Sequence, residues 1–283
     1  MKSKIYITGA AGFIGFHAAK KFLNKGIKVH GFDSMNNYYD PHLKKNRLNI
    51  LKKYKNFSFT KGLLENQKIL NQSILKFKPT IIIHLAAQAG VRYSIVNPDV
   101  YLNSNIFGTF NIIKIAQKIK VKHLIIGSSS SVYGPYGRPD MAYFKFTKNI
   151  LKGKKIDIFN RGKMYRDYTY IDDITDGIYK LLNKAPSLNS KKKFKNDSLS
   201  SVAPFRILNI GNTKKVYLLD FINTLEKELG KKIKKNYMPM QKGDVHSTLS
   251  DSSLLKRITG YNPKTNYKIG IKKFIKWYLN YYH

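Results

Sequence analysis

Gly9, Gly12 and Gly15 stand three residues apart, directly after the short apolar run Lys4–Thr8 and within a stretch whose apolar residues recur at Phe13, Ile14, Ala18, Phe22 and Leu23. This spacing constrains the fold more than any other feature of the chain, because it makes a strand turn abruptly into a helix. Gly26 is placed to end that helix. A second apolar run, IKVHGFD at 27–33, closes on Asp33, 18 residues beyond Gly15. Strand, glycine turn, helix and a terminal carboxylate in this order predict a dinucleotide-binding unit. The glycines let a pyrophosphate approach the backbone, the helix N-terminus offers free N–H groups, and the carboxylate accepts from a ribose hydroxyl. Asp33 also favours NAD over NADP, since it repels a 2′-phosphate. A glycine turn with no ligand is the alternative, and the register of all four parts argues against it.

PTIIIHLAAQ at 79–88 and VKHLIIGSSS at 121–130 are continuous apolar runs of the kind buried in parallel sheets. Helical stretches at 67–77 and 105–119 separate them. The alternation predicts an α/β fold with a Rossmann-type doubly wound parallel sheet. We expect a cofactor domain at 1–134 and a smaller C-terminal substrate domain at 135–283, with FRILNIG at 205–211 returning to the Rossmann sheet as a strand. Helices are expected at MAYFKFTKNILKG, within YIDDITDGIYKLLNK, at YLLDFINTLEKELG and at the C-terminal IGIKKFIKWYLNYY.

The chain has no cysteine, which removes disulfides, thiolate metal sites and a cysteine nucleophile. No cluster of His, Asp or Glu stands at metal-ligand spacing, so no metal is expected. The N-terminus enters a strand at once without a signal-peptide pattern, and no apolar run is long enough to span a membrane. We therefore expect a soluble, cytoplasmic protein. The formal charge of +36 raises a nucleic-acid reading. However, only seven of the 52 basic residues are Arg, and the lysines are scattered along the whole chain among Asn, Ile, Tyr and Phe. Codon bias accounts for such a composition, and no specific nucleic-acid partner is expected.

The motifs TGAAGFIGFH, HLAAQAGVRYS, SSSSVYG, GRPDMAYFKFTK and GKMYRDYTYIDD together resemble the extended short-chain dehydrogenase/reductases that act on nucleotide sugars, the NAD-dependent epimerase/dehydratase family, and the UDP-glucuronate 4-epimerases in particular. The resemblance implies bound NAD, a UDP-sugar substrate, UDP-glucuronate above all, and oxidation of carbon 4 followed by return of hydride to the opposite face. It places Ser129 on the carbon-4 oxygen, with Ser131 beside it. Arg138 would hold the glucuronate carboxylate, as a guanidinium fork suits. Arg166 would contact the UDP pyrophosphate and Asp244 would enclose the nucleotide. The resemblance adds Phe13, Ile14, Asn36, Ala86 and Ala87 to the cofactor contacts and Arg92 to the substrate contacts.

Two departures from the family pattern matter. Where the family has an Asp that hydrogen-bonds adenine, this chain has Leu63. In the stretch SSSSVYGPYGRPDM, 128–141, a single VYGP serves as the end of the fifth strand and as the entry to GRPDM. The family places between those two a helix with a Tyr-x-x-x-Lys motif and a sixth strand. One helix-strand unit, on the order of 50 residues, is thus expected to be missing, and with it the catalytic Tyr and Lys. None of the 20 tyrosines has Lys at the fourth following position. Tyr143 has Lys148 five residues on, which on a helix turns the side chain away. The lost helix is also the one through which the family's dimers pack, which weakens the expectation of a homodimer. At this point an impaired epimerase homologue, a non-catalytic NAD- and UDP-sugar-binding or interaction module, and a degenerate gene product all remain open, and an active enzyme with a recruited base is a further reading.

Overall fold

The computed structural model describes residues 3–128, 132–192, 194, 196–241 and 243–282. The chain forms two compact units, 1–129 and 130–283. In the first, β1 (Lys4–Thr8), β2 (Lys28–Asp33), β3 (Phe57–Lys61), β4 (Ile81–His84) and β5 (His123–Ile126) form one parallel sheet in the order β3-β2-β1-β4-β5. Ile5, Tyr6, Ile7, Ile82 and Ile83 are wholly buried, as strands covered on both faces require. The connections are α1 (Phe13–Asn24), α2 (Pro41–Lys52), α3 (Gln67–Phe77) and a long helical region from Val91 to Lys118. The helix expected at 105–119 lies in that region and begins earlier than expected. It enters through Pro98–Tyr101 and a π-helical stretch at Leu102–Phe107 before the regular turns of Gly108–Lys118. The strand order reverses between β1 and β4, and the crevice outside the carboxyl ends of those strands is where such sheets take ligands.

The second unit begins earlier than the sequence pattern indicated. Val132–Tyr133, expected in the first domain, form β6 and pair in parallel with β9 (Thr169–Tyr170) of the second unit. Helices α4 (Ala142–Leu151), α5 (Ile171–Leu181), α6 (Leu218–Leu229) and α7 (Tyr267–Tyr282) fall where their periodicity put them. They enclose an aromatic core in which Tyr143 meets Phe274 edge-on at 4.8 Å and Tyr168 stacks on Phe221 at 4.0 Å. Two further small pairings complete the unit. One joins β7 (Ile156–Ile158) to β11 (Lys235–Tyr237), the other β8 (Tyr165–Arg166) to β10 (Val216–Tyr217).

Residues 205–211 are not a strand, contrary to expectation. The Rossmann sheet ends at β5, and a strand needs a neighbour to take its N–H and C=O groups. This run bonds locally instead: the Ser198 hydroxyl bonds both the N–H and the carbonyl of Ile207, and the Gly211 N–H donates to Ser252 Oγ at 2.9 Å. Its apolar side chains Phe205 and Ile207 are left 55% and 63% exposed. Among the described residues, no helix is long and apolar enough to cross a membrane.

Candidate functional site

The first unit carries a candidate cofactor cradle at the ends of β1, β2 and β4. Gly9 takes a φ of +72°, and its N–H donates to the carbonyl of Phe32 at 2.8 Å. The Gly12 N–H turns back onto the Gly9 carbonyl at 2.9 Å, and α1 starts at the next residue. A Cβ on Gly15 would lie 2.0 Å from that same carbonyl, and one on Gly9 would lie 2.8 Å from the Ala86 nitrogen. All three glycines are thus needed for the turn to close against β4. Asp33 is buried, with Oδ2 accepting the Ala11 N–H at 3.0 Å and Oδ1 the Met35 N–H at 2.9 Å. Its carboxylate is held at the crevice with lone pairs to spare. Thr8 Oγ1 accepts the N–H groups of Leu85 and Ala86, each at 3.2 Å, and sits 2.7 Å from His84 Nδ1. Ala86 therefore abuts the glycine turn, while Ala87 beyond it is exposed. Asn36 approaches Gln88, with Nδ2 donating to Oε1 at 3.4 Å. Phe13 is buried in the core and Ile14 half-buried beside it. Arg92 lies exposed on the short helix Val91–Val96 of this unit. Leu63 follows β3 on a loop tied to β2 by the Gly62 N–H, which donates to the Asp33 carbonyl at 3.1 Å.

The dinucleotide fingerprint does not include two buried cations of α2, Lys44 and Arg47, which lie under this cradle. Their signal was present in PHLKKNRLNILK, where both share a helical face with Leu43, Leu48 and Leu51. A cation on an apolar face at helical spacing marks a buried partner.

The second unit holds a pocket walled by Tyr133, Tyr143, Phe159 and Tyr168, with Asp157, Arg166 and Asp244 as its charged residues. Arg166 Nη2 donates to Asp244 Oδ1 at 2.6 Å, and Nη1 to the carbonyls of Tyr165 and His246 at 2.9 and 3.3 Å. The structure thus brings together two of the residues singled out, 78 positions apart in the chain. Asp167, which the motif reading passed over, holds this arrangement. Its carboxylate accepts the N–H groups of Asn212, Thr213 and Ser250 at 3.1 Å and the Ser250 hydroxyl. Arg138 lies between β6 and α4 with its fork on Asp140, Nε to Oδ1 at 3.0 Å and Nη2 to Oδ2 at 2.6 Å. Burial pushes the Asp140 carboxyl up, but the Arg138 hydrogen bond and charge outweigh it and hold the group below the ordinary carboxylate range.

Burial pushes the phenols of Tyr133 and Tyr168 well above their ordinary value. Both remain protonated at neutrality and cannot serve as bases. Tyr143 is 3% exposed within the aromatic core, whereas Lys148 projects from the exposed face of α4. The residue at the fourth following position is Thr147, whose hydroxyl donates to the Tyr143 carbonyl at 2.9 Å. Ser129 and Ser131 lie outside the described residues.

The GDP-mannose 4,6 dehydratase family model matches residues 6–143, and the NAD dependent epimerase/dehydratase family model matches 131–195. Protein CapI of Staphylococcus aureus is 40% identical over an alignment of 332 positions that covers 99% of each chain. The chain belongs to the NAD-dependent epimerase/dehydratase family. Another member, a probable UDP-glucuronate 4-epimerase of Rhizobium meliloti (strain 1021), is 37% identical over 96% of each chain. Among solved structures, the UDP-glucuronic acid 4-epimerase of Bacillus cereus, crystallised with UDP-glucuronic acid and NAD, superposes with a TM-score of 0.83 at 26% identity, covering 99% of this chain and 100% of that one. The chain is accordingly a nucleotide-sugar epimerase homologue.

Proposed function

We propose that the chain is a UDP-glucuronate 4-epimerase homologue that binds NAD and a UDP-sugar but lacks the acid/base pair for turnover. The observation that carries this reading is the join at 128–141, where one VYGP serves two roles. The two family matches overlap on 131–143, across that same stretch. An alignment of 332 positions against 283 residues points the same way. Both support the loss of a segment on the order of 50 residues.

The glycine turn fits NAD: no side chain at Gly9, Gly12 or Gly15 would leave room for the turn. The N-terminus of α1 would face the pyrophosphate and Asp33 the ribose, with Phe13, Ile14, Asn36, Ala86 and Ala87 around them. NAD held there supplies a hydride acceptor. In the second unit Arg166 and Asp244 would take the nucleotide end of the sugar donor, and Arg138 the uronate carboxylate. Arg92 would add a cation on the substrate side, and Ser129 with Ser131 would hydrogen-bond the carbon-4 oxygen. Oxidation at carbon 4 requires a base for the hydroxyl proton. Tyr133 and Tyr168 stay protonated, and Tyr143 has no lysine on its own helix face.

General base catalysis is worth about 10² to 10⁴ in rate, so interconversion of UDP-glucuronate and UDP-galacturonate should fall below enzyme-like rates by at least that factor. Calorimetry should still record stoichiometric binding of NAD and of UDP-glucuronate. Enzyme-like turnover by chain purified free of host epimerase would overturn the catalytic reading, and absence of NAD binding would overturn the cofactor reading.

A further inference from the structure

In the second unit, residues 197–207 fold back on themselves as an anchored loop. The Ser200 N–H donates to the Phe205 carbonyl at 2.9 Å, the Ile207 N–H to Ser198 Oγ at 3.1 Å, and the Phe205 N–H to the Ala203 carbonyl at 2.7 Å around Pro204. A fork fixes the base. Arg206 donates through Nε and Nη2 to the two oxygens of Asp197 at 2.9 and 3.1 Å, and the Asp197 side chain is fully buried. Leu199 is buried as well. A bidentate pair of this kind holds its two segments in one geometry. The tip is the opposite: every residue of 201–205 is exposed, with Val202 at 89% and Phe205 at 55%. An ordered loop that presents apolar side chains to water marks a surface that something else covers.

The local charge decides what covers it. Between Asp176 and Asp220 the sequence has eight lysines and one arginine against a single acid, Asp197, and that acid is buried and paired with the arginine. Lys184, Lys191 and Lys192 are exposed. The Arg257 guanidinium lies 5.4 Å over the Phe194 ring, which ties the lysine-bearing stretch to the short helix Ser253–Thr259. The occupant must therefore be apolar where it meets the tip and anionic around it. A second copy meets these lysines with its own positive charge, since each chain carries +36. A nucleic acid offers phosphate outside and aromatic faces within, for which stacking rings and arginine forks are the fitting partners rather than an aliphatic tip. A bilayer of anionic lipid supplies both layers in the right order, hydrocarbon beneath negative headgroups. We propose that the loop at 197–207 docks the chain on an anionic membrane surface, Val202 and Phe205 entering the interface and the flanking lysines pairing with headgroups.

The chain has no cysteine, so Val202→Cys carrying an environment-sensitive fluorophore reports from the tip alone. Vesicles of equal parts phosphatidylcholine and phosphatidylglycerol should shift its emission to the blue, vesicles of phosphatidylcholine alone should not, and added salt should reverse the shift. Charge by itself would adsorb so basic a chain through any face, and co-sedimentation separates that case. The double variant Val202→Ser, Phe205→Ser keeps every charge, and both side chains project into water, so the fold does not depend on them. Its partition onto the anionic vesicles should fall about tenfold. Lys191→Gln and Lys192→Gln should each lower partition by about fivefold. Undiminished partition of the serine variant, or an unshifted label on anionic vesicles, would overturn the proposal. The same blue shift with duplex DNA or inorganic phosphate in place of vesicles would overturn it too, since neither offers hydrocarbon to the tip.

Discussion

Leu63 is half exposed on the loop that the Gly62 N–H ties to the end of β2, and a leucine there offers adenine no acceptor. Restoring one should strengthen cofactor binding by about 1 kcal/mol, roughly a fivefold change in Kd. Calorimetry of Leu63→Asp with NAD measures this, and an unchanged affinity would show that Leu63 does not face the adenine. Arg138 poses a different question, because its fork already grips Asp140 at 2.6 and 3.0 Å. A ligand carboxylate must share or displace that partner, so the full ~1.5 to 3 kcal/mol of a charge-assisted hydrogen bond is not available to it. UDP-glucuronate should bind better than UDP-glucose, and Asp140→Asn should widen the gap while Arg138→Ala closes it. If both substitutions change the two ligands equally, Arg138 is not the carboxylate contact.

At the scale of the element, β5 ends the sheet with Ile126 exposed, and Ile106, Phe107 and Phe110 on the preceding helical region are exposed as well. An unpaired edge beside apolar side chains is the arrangement that favours association between chains. The segment at 205–211 has the apolar content of a strand but, among the described residues, pairs with no other strand. Inserting a family helix-and-strand segment between Gly134 and Pro135, with the second motif rebuilt, supplies the catalytic Tyr and Lys, cover for the apolar face and a partner strand. Turnover and a dimer by light scattering should return together, and hydrogen exchange across 205–211 should slow. An inserted chain that folds but stays monomeric and inactive would refute the account of the join.

For the whole molecule, the pH dependence of stability follows from two buried histidines. His84 lies between Thr8 Oγ1 and Thr109 Oγ1 at 2.7 and 2.9 Å, and burial lowers its pKa to about 4. His30, bonded to Ser58 and Thr60, is likewise lowered to about 4 by burial and secondarily by Lys76. Both are neutral when folded and titrate near 6.5 when unfolded, so the unfolded chain binds more protons between those values. Stability is therefore fully present above about pH 6.5 and falls as the pH drops toward about 4, by at most roughly 3 kcal/mol for each histidine. Melting temperatures across that range should fall accordingly, and the slope should flatten in His84→Gln. An unchanged slope would mean that His84 does not carry this dependence. The formal charge of +36 adds self-repulsion but names no partner.

The glycine turn and the carboxylate at the end of the second strand were legible in the sequence because each is a matter of covalent spacing: residues three or 18 positions apart on one strand–turn–helix unit have little choice of where to go. The helices of the second unit were legible for the same reason, their apolar faces recurring at helical period. What the sequence could not decide was whatever depends on a partner brought from elsewhere. FRILNIG reads as a strand by composition, yet a strand exists only beside another strand, and among the described residues it pairs with none. Arg166 and Asp244 meet across 78 positions because Asp167 gathers the segments that carry them. Arg138 reads as a fork for a ligand carboxylate and is engaged by Asp140, and Lys44 and Arg47, which no motif singled out, are buried. Propensity and period act along the chain, whereas burial and pairing of charge act across it, and the tertiary fold alone sets those.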